Sequence, residues 1–199
     1  MKVLTLAVLA SVLSACTSGQ PQYGRHLPAT EQEFDAMGAA MADLDADRLP
    51  YRRLDDLVGT WRIEGSYQPW DDAPPQQVEP VCTAQWIVDR RCLELRYRYL
   101  VPGGPIEDLV LIRWNPLAEL YGIQLYSSGW TIPNGGTGRW DDESGTLDFQ
   151  LETVNPASRE TIRTLYRLES LSADGHTWKQ YRSTADGTLV PFLTMNASR

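Results

Sequence analysis

Residues 78–99, VEPVCTAQWIVDRRCLELRYRY, decide the fold that this sequence predicts. Apolar and polar residues alternate along two arms that meet at Asp89-Arg90, as in a β-hairpin with one buried face. The predicted buried face comprises Val78, Cys82, Ala84, Trp86 and Val88 in the first arm and Leu93, Leu95, Tyr97 and Tyr99 in the second. The stretch therefore predicts two neighbouring antiparallel strands.

The same hairpin argues against a disulfide between Cys82 and Cys92. The register places Cys82 opposite Tyr97, and Cys92 falls on the other face of the sheet. Five positions of strand separate the two thiols, or about 17 Å at roughly 3.3 Å per residue. A disulfide needs Cα atoms within about 7 Å, so we expect two free thiols.

From Gly59 to the C-terminus the sequence consists of short stretches rich in Trp, Tyr, Val, Ile and Thr, separated by turn residues. This pattern of β-prone stretches and turns predicts about 9–10 strands. Because no connector is long enough for a crossover helix, neighbouring strands should be antiparallel. We predict an all-β meander closed into a barrel at residues 54–199, because closure removes exposed edges. A two-sheet sandwich is the alternative.

An amphipathic helix is predicted over residues 30–49, before the first strand. Thr30 and Glu33 form a capping box, and Phe34, Met37, Met41 and Leu44 recur at helical spacing. We expect the apolar stripe to pack on the domain. A partner-binding helix or a membrane-surface helix is the alternative, although the acidic opposite face disfavours the membrane.

The first 15 residues have the character of an export signal. Lys2 precedes an apolar stretch, and Leu13-Ser14-Ala15-Cys16 follows it. These four residues resemble the lipobox of bacterial lipoproteins, which implies cleavage before Cys16 and lipidation of its thiol. An ordinary secretory signal with a chance cysteine is the alternative. Thr17 follows where an aspartate would favour the inner membrane, so the resemblance implies an outer-membrane lipoprotein facing the periplasm.

The composition of the tether and the net charge of the chain limit the classes of partner that we expect. Residues 16–29 contain Ser, Gly, Gln and Pro without apolar periodicity and predict a flexible tether. The whole chain carries a net charge of −8, and removal of the leader, which contains one lysine and no acid, makes it about −9. Together with the lack of a basic run, this charge argues against nucleic acid and against a basic membrane-binding patch.

Three stretches of the domain resemble a known family. They are Leu57–Trp61, QWIVDRRCLELRY at residues 85–97 and GTGRWDDESGTLDF at residues 136–149. In this order they resemble the bacterial family called domain of unknown function 1579, over roughly residues 54–199. The resemblance implies a lipocalin-like barrel, frequently secreted, with no established reaction. The motif Gly59-x-Trp61 is also the opening signature of lipocalins.

The sequence offers little material for catalysis or for a cofactor. We find no nucleophile elbow, zinc-protease motif, phosphate loop or Cys-x-x-Cys. The first strand is distantly similar to nitrobindin-type haem barrels, but haem iron needs an axial donor. His26 lies in the predicted tether, and we expect His176 to be an exposed turn residue. The acidic pairs Asp55-Asp56, Asp71-Asp72 and Asp141-Asp142 are interpreted as turns, with weak calcium binding as the alternative. We therefore expect no cofactor and no metal.

The remaining functional signal is the aromatic content of the inward faces, which carry Trp61, Tyr67, Trp86, Tyr97 and Tyr99. These side chains are candidates for the lining of a ligand cavity. The leading hypothesis is a lipid-anchored envelope protein that binds a small apolar or amphipathic molecule without catalysis. The alternative is a structural or protein-interaction module of the envelope with a filled core. An isomerase or cyclase that uses an acid in the cavity ranks last.

Overall fold

The computed structural model describes residues 28–68, 72–101, 103–184 and 186–199. The predicted leader, Cys16 and most of the predicted tether lie outside the described residues. The chain divides into two units, with the boundary between Asp43 and Leu44.

Helix α1 spans Glu31–Leu44 and begins with the predicted cap. The Glu33 amide donates to Thr30 Oγ1 at 3.2 Å, and Glu33 Oε2 accepts from the Ala29 amide at 2.7 Å. The apolar stripe of Phe34, Met37, Met41 and Leu44 is between 37% and 62% exposed. None of the helices in the described residues is long and apolar enough to cross a bilayer.

A short helix α2 (Leu49–Arg52) and a 3₁₀ turn (Asp55–Leu57) precede the strands. The strands are β1 (Gly59–Tyr67), β2 (Gln76–Val78), β3 (Val81–Ile87), β4 (Cys92–Val101), β5 (Gly104–Asn115), β6 (Leu120–Ser127), β7 (Trp130–Asp141), β8 (Thr146–Val154), β9 (Thr161–Glu169), β10 (Gly175–Ser183) and β11 (Leu189–Ser198).

The sheet confirms the predicted closed antiparallel barrel. Each strand from β3 to β10 pairs antiparallel with the strand that follows it in the chain, and β11 returns to pair with β1, from Arg62↔Ser198 to Tyr67↔Leu193. Strands β2 and β3 pair with successive parts of β1 on either side of Pro80, so together they occupy one position of a ten-strand barrel. A sheet whose last strand meets its first is not a sandwich, and that alternative is wrong.

Residues 49–57 close the barrel at the end where β1 begins, which we call the plugged end. Tyr121 Oη donates to the Pro50 carbonyl at 2.8 Å, and Trp61 Nε1 donates to the Leu57 carbonyl at 2.7 Å. Arg199 lies over the Trp61 ring at 4.5 Å and donates to the carbonyl of Val58 at 3.0 Å. The plug thus gives buried ring N–H and O–H groups their partners.

Strands β7 and β8 approach each other closely because β7 is rich in glycine. A Cβ atom on Gly136 would lie 1.8 Å from the carbonyl oxygen of Gln150, and one on Gly138 would lie 2.5 Å from that of Asp148. No side chain fits at either position, which is the usual reason for glycine inside a strand.

The hairpin register confirms the prediction for the cysteines. Cys82 pairs with Tyr97, Cys92 pairs with Ile87, and both thiols are free. Cys82 is fully buried in the core, whereas Cys92 is half-buried. The two thiols therefore lie on opposite faces of the sheet, as the alternation predicts.

The difference in burial predicts different reactivity. Burial raises the pKa of the Cys82 thiol to about 12, so that the thiolate, which is the nucleophile, is scarce. We expect iodoacetamide to label Cys92 slowly and Cys82 only after unfolding in urea, as measured by peptide mapping. A peptide containing a Cys82–Cys92 bridge would contradict the register.

Candidate functional site

The barrel interior changes character along its axis. At the plugged end the inward side chains of Trp61, Leu93, Ile112, Leu147 and Trp178 are at most 1% exposed. Toward the far end, where β1 ends, most inward side chains are half-buried, although Tyr97 and Tyr166 are each only 3% exposed. The plugged half is therefore filled, whereas solvent reaches part of most inward side chains in the far half.

We call the far half of the interior the mouth. Its side chains come from strands all around the barrel. Each of these residues pairs with a residue on the next strand whose side chain faces the interior, so its own side chain faces the interior too. The mouth residues are Tyr67, Tyr97, Tyr99, Ile106, Asp108, Leu125, Asn134, Thr153, Thr164, Tyr166, Gln180, Arg182 and Leu193. The mouth is thus apolar and aromatic in part, with a large polar component.

Four tyrosines form the aromatic part of the mouth: Tyr67 on β1, Tyr97 and Tyr99 on β4, and Tyr166 on β9. Burial is the main cause that raises the pKa of Tyr97, Tyr99 and Tyr166, and nearby Cys82 and Asp108 raise the pKa of Tyr97 further. These phenols are neutral at physiological pH and remain hydrogen-bond donors.

The polar part of the mouth contains oxygen atoms without partners. Asp108 Oδ2 accepts a hydrogen bond from Tyr99 Oη at 2.8 Å. Among the described residues, no group hydrogen-bonds to buried Asp108 Oδ1, Asn134 Oδ1 or Thr153 Oγ1, whereas the Tyr97 hydroxyl lies beside the Cys82 thiol and the Tyr166 hydroxyl. Buried polar atoms in native proteins are nearly always hydrogen-bonded. Buried atoms without partners also occur at the plugged end, where the described residues include both ring nitrogens of His176 and Nε1 of Trp178.

Two charged side chains face each other across the mouth. Asp108 lies on β5 and Arg182 on β10, and these strands are five positions apart in either direction around the ten-strand barrel. Arg182 Nη1 donates to the Gln68 carbonyl at 3.2 Å, and its guanidinium lies 5.7 Å from the centre of the Phe192 ring. Beside it, Gln180 donates to Thr164 Oγ1 at 3.2 Å. The mouth therefore carries a carboxylate on one side and, on the other, a guanidinium that already contacts the Gln68 carbonyl and the Phe192 ring.

The structure separates the five predicted cavity residues into two groups. Tyr67, Tyr97 and Tyr99 lie in the mouth. Trp61 lies fully buried at the plugged end, and Trp86 lies at the same end, where its Nε1 donates to Asp55 Oδ1 at 2.7 Å. All five face inward, as the alternation predicts, but alternation does not distinguish the ends of a barrel.

Sequence reasoning missed Asp108, Asn134, Thr153 and Arg182. Asp108 lies in IEDLVLIRWN, a strand that is apolar on both faces, so its inward orientation is not readable from alternation. The one available signal was the adjacent pair Glu107-Asp108, because neighbouring residues of a strand point to opposite faces and one of the two carboxylates must therefore point inward.

The expectation that His176 is an exposed turn residue is wrong. His176 is the second residue of β10 and is 3% exposed, with its ring edge-on to Trp61 at 4.7 Å between centroids. Burial, followed by the nearby charge of Arg199, lowers the pKa of its imidazole to about 4. The turn residues before it suggested a loop, but β10 starts one residue earlier and its alternation points His176 inward.

The acidic pairs in the described residues behave as turn and ion-pair residues. Asp141 accepts from the Glu143 amide at 3.0 Å and from the Ser144 hydroxyl at 2.6 Å, while Asp142 pairs with Arg53. Asp55 binds Trp86 and Arg90. Asp71 lies outside the described residues. No cluster of three or more metal-ligating side chains occurs in the part of the chain that the structure describes.

Comparisons with known proteins give a family and a fold. The model of a family described as "Protein of unknown function (DUF1579)" matches residues 48–199. A search of curated proteins found no match. Among solved structures, the crystal structure of Rv2717c from M. tuberculosis is similar, with a TM-score of 0.54 and 14% sequence identity, over 77% of this chain and 99% of that chain. At this identity the likeness concerns the fold alone.

Proposed function

We propose that this chain, which belongs to the DUF1579 family, binds a small apolar or amphipathic molecule in the mouth of its barrel. The observation that carries the proposal is the contrast between the filled plugged half and the mostly half-buried mouth, where three oxygen atoms, Asp108 Oδ1, Asn134 Oδ1 and Thr153 Oγ1, have no hydrogen-bond partner among the described residues. Barrels of this size hold one small ligand when side chains do not fill them. A structural module with a filled core would not need this contrast.

The ligand should meet both kinds of surface in the mouth. Leu125, Leu193 and the rings of Tyr67 and Tyr99 offer apolar contact, and the polar atoms of the mouth offer a few directed hydrogen bonds. This mixture is the usual composition of a small-molecule site. No reaction is part of the proposal, because binding requires only these contacts.

Filling the mouth should abolish binding. Thr153 is inward and half-buried, and Val154, the next residue, is outward and 39% exposed. We expect the neutral dye Nile red to bind the wild type saturably, as measured by fluorescence. Thr153→Phe should weaken binding at least tenfold, because the ring occupies the site, whereas Val154→Phe should leave it unchanged. Equal binding by both variants, or no saturable binding by the wild type, would refute the proposal.

We further propose that the protein is anchored by lipid on Cys16 in the bacterial cell envelope, at the outer membrane facing the periplasm. Supporting this are the apolar leader and the residues Leu13–Cys16. Stable anchoring needs more than one acyl chain, as bacterial lipoproteins carry.

Lipidation predicts a simple labelling result. Cells that express the wild type should incorporate labelled palmitate into the protein, and cells that express Cys16→Ser should not. Cys92→Ser is the matched control, because it removes a thiol from the barrel, and it should be labelled like the wild type. Equal labelling of wild type and Cys16→Ser would show that the thiol of Cys16 is not the attachment point.

A further inference from the structure

Asp108 is an inward carboxylate with only one of its two oxygens hydrogen-bonded. Oδ2 accepts from Tyr99, whereas Oδ1 is buried and has no hydrogen-bond partner among the described residues. Nor does any described Arg or Lys form an ion pair with it. Removing a carboxylate from water is costly unless a positive charge or further donors compensate it. A ligand that supplies such a charge would gain from this arrangement.

The surroundings of Asp108 suit a cation. Tyr97 lies directly opposite it on β4, Tyr99 binds its Oδ2, and Tyr67 lies beside Tyr99. The faces of aromatic rings attract amine and quaternary ammonium groups. A carboxylate together with aromatic rings is the combination that recognises an ammonium group.

The other unpartnered atoms of the mouth also favour a ligand that donates hydrogen bonds. Asn134 Oδ1 and Asp108 Oδ1 can only accept hydrogen bonds, and Thr153 Oγ1 can accept them as well. A molecule with N–H or O–H groups satisfies these atoms, whereas a carboxylate ligand would place its negative charge against Asp108.

Asp108 supplies the charge that orients such a ligand, because its Oδ1 lies inside the barrel without a hydrogen-bond partner among the described residues. We propose that the mouth selects amphipathic molecules with a cationic amine or ammonium group, which Asp108 binds while the apolar body contacts Leu125 and Leu193. This inference rests on the proposed function, since it specifies the ligand class of the same site.

Three probes with the same apolar tail test the charge preference: octylamine, 1-octanol and octanoate. We expect isothermal titration calorimetry at neutral pH to show octylamine binding at least tenfold tighter than 1-octanol, and octanoate binding most weakly. In Asp108→Asn, which keeps the shape of the side chain, octylamine and 1-octanol should bind within threefold of each other. Asp108→Ser should give the same result.

The matched control is Glu107→Gln. Glu107 is the neighbouring carboxylate on β5, but it points outward and pairs with Arg96 and Arg98 at the surface. This variant removes the same charge from the same strand, and it should keep the preference of the wild type for octylamine. Loss of the preference in Glu107→Gln would mean that overall charge, and not Asp108, causes it.

The outcomes separate the ligand class from the function itself. Tighter binding of octanoate than of octylamine, or an unchanged preference in both Asp108 variants, would overturn the cationic ligand and leave the binding function standing. If none of the three probes binds and Nile red does not bind either, the proposed function fails and the ligand class fails with it. The unfolding midpoints of the variants show whether each one is folded.

Discussion

Trp61→Ala should lower the free energy of unfolding by about 4–6 kcal/mol. Truncating a buried Trp costs about 3–5 kcal/mol, and the Leu57 carbonyl and the Arg199 guanidinium would also lose their contacts with the indole. Domains are stable by only about 5–15 kcal/mol, so the variant should be largely unfolded at low urea concentration. Urea unfolding followed by circular dichroism measures the change.

Two further variants make the Trp61 experiment specific. Trp61→Phe keeps an aromatic ring but loses the N–H group, so it should lower the free energy of unfolding by less than Trp61→Ala does. Trp130→Ala is the matched control: Trp130 starts β7 and is 41% exposed. Its truncation should change the free energy of unfolding by less than about 1 kcal/mol. A loss below about 1.5 kcal/mol in Trp61→Ala would show that the plug does not depend on this indole.

Acidification should destabilise the folded protein through His176. Its pKa in the folded protein is about 4, lowered mainly by burial from the ordinary value of 6.5. The unfolded chain therefore binds a proton at a higher pH than the folded protein does. The stability contributed by the neutral imidazole is complete above about pH 6.5 and is lost as the pH falls toward 4. Between pH 7.5 and pH 4.5 this difference amounts to about 2.5 kcal/mol.

The measurement compares urea unfolding at these two pH values in the wild type and in His176→Phe. Phe keeps a ring against Trp61 but does not titrate. On acidification the free energy of unfolding of His176→Phe should therefore fall by about 2.5 kcal/mol less than that of the wild type. Carboxylates titrate in both proteins and cancel in the comparison. His26→Gln, which removes the only other histidine, should behave like the wild type. An identical pH dependence in wild type and His176→Phe would mean that the imidazole is not enclosed in the folded protein.

The hairpin of β3 and β4 shows how far alternation predicts structure. Its register, Cys82↔Tyr97, follows from the two apolar faces and the turn at Asp89-Arg90. The prediction succeeded because hydrophobic alternation and the turn both act over a few residues and agree with each other. The same local signals gave the first turn of α1, where Thr30 caps the helix.

The site required contacts between distant parts of the chain. Asp108 and Arg182 are far apart in the sequence, and only closure of β11 on β1 places them on opposite sides of one barrel interior. His176 was misread for a related reason: the loop residues before it are locally polar, and its burial depends on Trp61, which lies more than a hundred residues earlier. Residues 49–57 fill one end of the barrel, and this decides which inward residues are fully buried and which are only half-buried.

The sequence alone thus determined the strand pattern, the antiparallel order, the free thiols and the family resemblance. Each depends on local periodicity, turn chemistry or a short motif, which the chain carries in neighbouring residues. The tertiary structure alone decided that Trp61 and Trp86 belong to the plugged end and that Tyr67, Tyr97, Tyr99 and Asp108 belong to the mouth. The reason is that alternation reports the side of a strand on which a residue lies. Its depth along the barrel axis depends on the packing of residues 49–57 against strands from the whole chain.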